Sequence, residues 1–208
     1  MFTCYSSERE KMETSLHPLF QHPTNRVSVF VDGENAYYAQ RSLGWFFDPR
    51  KLLEYFSEGA AIGDAFWYAS QKMPPDPREQ RFYGYLNHAG YTVRVKSIKY
   101  FRDEISGELT RKANLDLEMA IDLFTTIAQY DTAVLVTGDG DFERAVELLR
   151  SYGKRVIVAS TQDTVARELR NAAGKHFFDL AEIRSFIERF TAPGDQFQRE
   201  DVIHQVAP

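Results

Sequence analysis

The sequence predicts an α/β domain in which helices cover both faces of a central, mainly parallel sheet, giving three α/β/α layers. Short continuous apolar runs recur along the chain, and segments with helical periodicity separate them. Parallel strands buried on both faces have this uninterrupted apolar character, and long crossovers must join them. Two of the runs, VSVFVDG and AVLVTGDGD, end in acidic and glycine residues. In open α/β sheets, ligands bind at such strand ends.

Strands are predicted wherever a short run of β-branched, aromatic or aliphatic residues stands between turn signals. In chain order these runs are RVSVFVD (26–32), DAFWYAS (64–70), YTVRVKSIKYF (91–101), TAVLVTG (132–138), KRVIVAS (154–160) and HFFDL (176–180). The segment RDEISGELTR (102–111) has a Ser-Gly pair between two extended arms and predicts an inserted β-hairpin.

Helices are predicted between the strands. Asp48 before Pro49 combines a favoured N-cap with a residue suited to the first turn, and this helix extends to Phe56. Gly90 and Gly153 are typical helix stops. One further helix is expected to start at Asn35, and another is expected after MPPDPREQ (73–80). The remaining expected helices occupy 114–130, 141–153, 164–174 and 181–190.

Composition fits one ordinary globular domain. The chain has 208 residues, of which 43% are hydrophobic and 26% charged, which excludes a wholly disordered, collagen-like or disulfide-scaffold protein. We expect the domain at 25–191, with tails at 1–24 and 192–208. The single cysteine, the absence of a long apolar stretch and the charged N-terminal segment predict a cytoplasmic protein without a membrane span.

Charge is distributed unevenly along the chain. The net charge is −5, yet residues 94–112 contain six basic and three acidic side chains. A basic run of this kind is most often a solvated face, which is the default interpretation here. The molecule as a whole has no basic field that would attract nucleic acid.

Aspartates occur where the predicted strands end. Asp32 ends the first strand, and Asp139 and Asp141 follow the fourth. Each one alone is explained by a turn or a helix N-cap, whereas three at equivalent strand ends indicate a site.

The helix at 114–130 supplies a further carboxylate. Helical periodicity places Asp116 among apolar residues, where an ionised group needs a cation, hydrogen-bond donors or a raised pKa. A helix N-cap is the alternative role for Asp116. Asp122 is predicted on the polar, solvated face of the same helix.

Four carboxylates that converge predict a hard divalent cation. Asp32, Asp116, Asp139 and Asp141 offer oxygen ligands, with no histidine or cysteine among them. Such a set favours Mg²⁺ or Mn²⁺ over zinc. A metal held by carboxylates suits phosphodiester hydrolysis, because it activates water and neutralises charge on the phosphate.

The motifs FVDGEN, KANLDLEMAID, VLVTGDGDF and ARELRNAAGKHFFDL occur in this order over residues 27–181. Together they resemble the NYN domain, and within it the LabA-like group of the PIN-like nuclease superfamily. The resemblance implies a PIN-like, Rossmann-like fold and Mg²⁺- or Mn²⁺-dependent cleavage of RNA. It implies that Asp32, Asp116, Asp139 and Asp141 bind metal and catalyse, with Asn35 and Thr137 beside the substrate. One extra residue separates Lys112 from Asp116 compared with the family motif.

RNA binding by an acidic protein would need cations outside the acidic site. The basic segment leads into the helix that carries Asp116, and we expect its side chains to contact the phosphates of single-stranded RNA. The residues expected to do so are Lys99, Arg102, Arg111 and Lys112. Tyr100 and Phe101 are candidates for stacking on bases, with a core role as the alternative for Phe101.

Two other classes of function stay open at this point. A haloacid-dehalogenase-like phosphatase also begins with a strand that ends in Asp, but it needs a second Asp where Glu34 stands. The same fold also serves as a non-cutting module that binds RNA or protein. The sequence leaves a homodimer or a regulatory protein partner open.

Overall fold

The computed structural model describes residues 26–102, 109–112 and 114–190, and only the backbone of 100–102 and 109–112. The predicted tails lie outside these residues. The strands are β1 (Arg26–Asp32), β2 (Ala61–Gln71), β3 (Thr92–Ser97), β4 (Lys99–Arg102), β5 (Leu109–Lys112), β6 (Thr132–Val136), β7 (Arg155–Ser160) and β8 (Phe177–Asp179). The α-helices are α1 (Gly33–Leu43), α2 (Pro49–Phe56), α3 (Pro77–His88), α4 (Asp116–Thr125), α5 (Glu143–Ser151), α6 (Arg167–Ala173) and α7 (Arg184–Ile187).

Six strands form one parallel sheet in the order β3-β2-β1-β6-β7-β8. From β1 the chain adds β2 and β3 on one side and later returns to add β6, β7 and β8 on the other. The order of the strands therefore reverses between β1 and β6, and open α/β sheets bind their ligands at such a reversal. Asp32 is the last residue of β1, so it lies at this point.

Helices cover both faces of the sheet, as the sequence predicts. On one face, Val29 and Val31 of β1 pack in a core with α1, α2, α3 and α7. On the other face, Phe30 packs in a second core with α4, α5 and α6. The alternation of β1 between the two cores explains why the three consecutive residues 29–31 are all apolar. The predicted three-layer α/β/α fold is confirmed.

Three predicted elements differ in detail from the structure. The helix expected at 181–190 is a 3₁₀ turn, Leu180–Ile183, followed by the short α7. The single strand expected at 91–101 is two strands, because the buried Ile98 separates β3 from β4 and its N–H donates to the carbonyl of Gln71 at 2.8 Å. The predicted hairpin is present as an antiparallel β4–β5 pair, with its turn outside the described residues. The helix expected at 114–130 ends at Thr125 and continues as a short 3₁₀ turn, Ile127–Gln129.

Helix starts follow the predicted capping chemistry. The carboxylate of Asp48 accepts a hydrogen bond from the N–H of Arg50, with Pro49 at the first helical position. Asp76 caps α3 in the same way. No helix in the described part of the chain has both the length and the apolar character needed to cross a bilayer.

Candidate active site

Asp32 is held rigidly at the end of β1. Its Oδ1 accepts hydrogen bonds from the N–H groups of Glu34 and Asn35, both at 3.1 Å. Its Oδ2 accepts from the Asn35 amide at 2.7 Å and from the Thr137 hydroxyl at 3.3 Å. Asp32 is thus the N-cap of α1, and the capping role and a place at the site coexist in one side chain.

Glycines allow the backbone around these aspartates to pack closely. A Cβ atom on Gly33 would lie 2.5 Å from the carbonyl oxygen of Tyr68, and one on Gly138 would lie 2.4 Å from that of Thr164. Both distances are too short for any side chain. Gly33 of the DGEN motif is therefore required because α1 packs against the end of β2. Gly138, the first glycine of the TGDGD motif, is required because the loop after β6 packs against residues 161–166.

Asn35 and Thr137 join the ends of β1 and β6. The Asn35 side-chain oxygen accepts from the N–H of Gly138 at 3.1 Å, while its amide donates to Asp32. The Thr137 hydroxyl donates to Asp32 and accepts from the N–H of Asp139 at 3.2 Å. Thr137 is 1% exposed, and its hydroxyl is engaged by these two aspartates.

Asp116 begins α4 without acting as its N-cap. The neighbouring Asn114 bonds it twice, because its oxygen accepts from the Asp116 N–H at 2.7 Å and its amide donates to the Asp116 carboxylate at 2.6 Å. The alternative role of Asp116 as the cap is therefore wrong. Asn114 is a site residue that the sequence analysis missed, although its spacing of two residues from Asp116 is typical of a local Asn turn.

Three carboxylates converge at this end of the sheet. Oxygen atoms of Asp116, Asp139 and Asp141 lie within 4.8 Å of one another. Asp32 is outside this closest group, but it lines a cavity of about 540 Å³ together with Asp116 and Asp139. The N–H of Asp141 donates to Asp139 at 3.0 Å, which fixes the spacing of these two aspartates.

The donor set fits a hard divalent cation. All three close side chains offer carboxylate oxygens, and no ion pair neutralises them within the described residues. Carboxylates crowded in this way repel one another unless a cation or protons offset their charge. Asp116, Asp139 and Asp141 are the side chains that could hold Mg²⁺ or Mn²⁺, with Asp32 at the edge of the group.

Two aspartates of the site have raised pKa values, and burial is the largest cause for both. Burial raises the pKa of Asp32, and the hydrogen bonds from Asn35 and Thr137 offset part of that effect. Burial also raises the pKa of Asp116, and the negative charges of Asp139, Asp32 and Asp141 raise it further. Ionised Asp116 therefore costs folding free energy in the absence of a compensating charge.

Asp116→Asn is expected to stabilise the metal-free protein. Because the pKa of Asp116 is raised in the folded state, the free energy of unfolding falls as the pH rises through that pKa. The folded protein holds this proton more tightly than the unfolded chain does, and it has to release the proton at higher pH. Asparagine carries no charge to lose. Thermal melts in chelator at pH 7 should show a gain of about 1 kcal/mol. The variant should also lose less stability than the parent as the pH rises from 3.8, the ordinary pKa of aspartate, to neutral. A lower melting temperature for the variant at pH 7 would contradict crowding.

The prediction that Asp122 is solvated is wrong. Asp122 is 8% exposed and accepts two hydrogen bonds from the Arg94 guanidinium at 2.9 and 3.0 Å, plus one from the Tyr68 hydroxyl at 3.0 Å. The face of α4 that was predicted to meet solvent packs on β2 and β3 instead. Two apolar residues of the same helix, Leu117 and Ile121, are instead 67% and 51% exposed.

The basic segment is partly neutralised inside the fold. Arg94 pairs with Asp122, and Lys96 pairs with Glu118 at 2.7 Å and bonds the carbonyl of Asn114. Both cations therefore attach α4 to β3. Lys99 is exposed on β4, whereas the side chains of Arg102, Arg111 and Lys112, like those of Tyr100 and Phe101, lie outside the described residues.

A six-stranded parallel sheet that is flanked by helices and carries carboxylates at its topological switch point fits a PIN-like α/β/α domain. The chain belongs to the NYN domain family, whose model matches residues 26–184. NYN domains form a family of PIN-like nucleases. This result confirms the family expected from the motifs, and with it the α/β/α class.

One relative supports this membership, and one solved structure shares the fold. The chain is 49% identical over 173 residues to the low amplitude and bright protein LabA of Synechococcus elongatus, covering 81% of this chain and 91% of that protein. A crystal structure of a protein of unknown function from Vibrio parahaemolyticus superposes with a TM-score of 0.65. At 23% identity, over 79% of this chain and 96% of that one, this likeness shows the fold alone.

Proposed function

We propose that this protein is a ribonuclease that hydrolyses phosphodiester bonds of single-stranded RNA with Mg²⁺ or Mn²⁺. The observation that supports it is the convergence of Asp116, Asp139 and Asp141 within 4.8 Å at the switch point of a NYN domain. A divalent ion bound there would supply activated water and neutralise charge on the phosphate. Asp32, Asp116, Asp139 and Asp141 are the proposed catalytic residues.

The proposed division of labour follows from the hydrogen bonds. Asp116, Asp139 and Asp141 offer the metal ligands, and Asp32 faces the same cavity. Asn35 and Thr137 hold the strand ends in register, so that Asp32 and Asp139 stay at a fixed separation. Their effect on the reaction is thus one of positioning, since preorganised groups avoid reorganisation during the reaction.

The β4–β5 hairpin supplies the proposed contacts to the RNA backbone. Lys99 is exposed, and the cluster of carboxylates cannot attract RNA by itself. Cations of the hairpin would contact phosphates and make binding dependent on salt. The proposed phosphate-binding residues are Lys99, Arg102, Arg111 and Lys112.

The test combines metal binding with cleavage. Because only the folded state assembles the three carboxylates, Mn²⁺ at about 100 times its dissociation constant should stabilise the protein by about 2.7 kcal/mol. For a domain of this size that corresponds to a rise in melting temperature of roughly 5–10 °C. Purified protein should cleave a single-stranded RNA with Mn²⁺ and not in chelator. Absence of both the thermal shift and cleavage would refute the proposal, and a shift without cleavage would leave a metal-binding module that does not cut.

A further inference from the structure

Tyr38 is an exposed aromatic residue at the mouth of the acidic cavity. It lines the same space of about 540 Å³ as Asp32, Asp116 and Asp139, and it is 46% exposed. It follows Asn35 by three residues on α1, so both side chains lie on one face of the helix. The ring is therefore adjacent to the carboxylates and not part of the core.

Packing restrains the ring of Tyr38. Its centroid lies 5.7 Å from that of Tyr37, at an interplanar angle of 63°. Tyr37 is buried, and its hydroxyl accepts a hydrogen bond from Arg41 at 3.3 Å. A ring supported from the side in this way loses little conformational freedom when a flat ligand stacks on it.

The other aromatic of this cavity is already occupied. Tyr68 is 2% exposed and donates its hydroxyl to Asp122, so its ring is not available to a ligand. The two aromatics that line the cavity among the described residues therefore differ in exposure, with 46% for Tyr38 and 2% for Tyr68. Around it lie polar side chains, including Glu34 and Asn114, that a protein partner would have to desolvate at a cost.

We infer that Tyr38 stacks on an unpaired base of the RNA, next to the phosphate that lies at the carboxylates. The inference rests on the proposed function and names the feature that makes the site select single strands. A nucleobase needs one accessible ring face and leaves the surrounding polar groups hydrated. Bases paired inside a duplex are covered by their neighbours, so neither face of such a base is open to the ring of Tyr38.

The experiment compares three variants on one oligonucleotide in chelator at low salt, where no cleavage occurs. Stacking contributes enough that Tyr38→Leu should weaken binding of a fluorescent single-stranded RNA about tenfold or more, measured by anisotropy. Tyr38→Phe retains the ring and should bind nearly as the parent does. Tyr152→Leu is the matched control, because Tyr152 is 62% exposed just before β7, at the opposite edge of the sheet.

A second strand with abasic positions separates base stacking from other contacts. If Tyr38 stacks, Tyr38→Leu should cost little on the abasic strand and nothing on a duplex of the same sequence. The inference would be overturned if Tyr38→Leu bound the intact strand as the parent does, or lost equal affinity on the intact and abasic strands. It would also be overturned if the Leu and Phe variants lost equal affinity, or if the parent protein showed no measurable binding. Cleavage assayed in parallel with Mn²⁺ keeps the two proposals apart, since the parent can bind through Tyr38 without cutting, or cut without using Tyr38.

Discussion

Asp139→Asn is expected to abolish RNA cleavage while leaving the fold intact. The Asp139 carboxylate belongs to the close group with Asp116 and Asp141. The substitution removes one of the three negative charges of this group. Asparagine keeps an oxygen that can accept the N–H of Asp141, and it is as good a helix cap as aspartate. Because electrostatic groups at a reacting centre contribute strongly, the cleavage rate with Mn²⁺ should fall on the order of 100-fold or more.

The control for this variant is Glu54→Gln, which removes the same charge from an exposed position on α2 outside the cavity. It should cleave as the parent does. Titration of Mn²⁺, followed through the signal of the free ion, should show weaker binding for Asp139→Asn than for Glu54→Gln. Cleavage by Asp139→Asn at the parental rate would show that the carboxylate group is not the catalytic centre.

The place of the site was predictable because parallel strands align their ends. Asp32 and Asp139 follow two apolar runs, and any parallel sheet that makes β1 and β6 neighbours must bring their ends together. The register shows this directly, since Val31 pairs with Val136 and the next residues are Asp32 and Thr137. Sequence alone could not provide the order of the strands, and thus the pairing itself, without the family resemblance.

The surroundings of α4 were not predictable in the same way. Periodicity tells which residues share a helix face, but it does not tell which face meets the sheet. Asp122 finds its partners 28 residues away at Arg94 and 54 residues away at Tyr68, on strands that no local pattern connects to the helix. A carboxylate that looks solvated on a helical wheel can thus be buried when a distant strand supplies its counter-charge.

The ion pair of Arg94 with Asp122 bears on the site because it holds α4 in place. Only Met119, Asp122 and Leu123 of this helix are buried, so apolar packing alone gives it few contacts. Asp116 lies at the first residue of the same helix. A shift of α4 would therefore move Asp116 relative to Asp139, and the pair with Arg94 should influence both stability and the metal site.

Arg94→Met is expected to destabilise the protein by about 2 kcal/mol, because it leaves the buried charge of Asp122 without its cation. The side chain of Asp122 is only 11% exposed. Among the described residues, the Tyr68 hydroxyl is then its one remaining side-chain donor. The value lies below that of a fully buried pair because the Arg94 side chain is itself 46% exposed. Thermal melts should show a drop of roughly 4–8 °C. Arg144→Met, which breaks the exposed pair with Glu147, should cost at most about 0.5 kcal/mol. Adding Asp122→Asn to Arg94→Met should recover part of the loss, because it removes the unpaired charge. Equal melting temperatures for Arg94→Met and Arg144→Met would show that the buried pair does not stabilise α4.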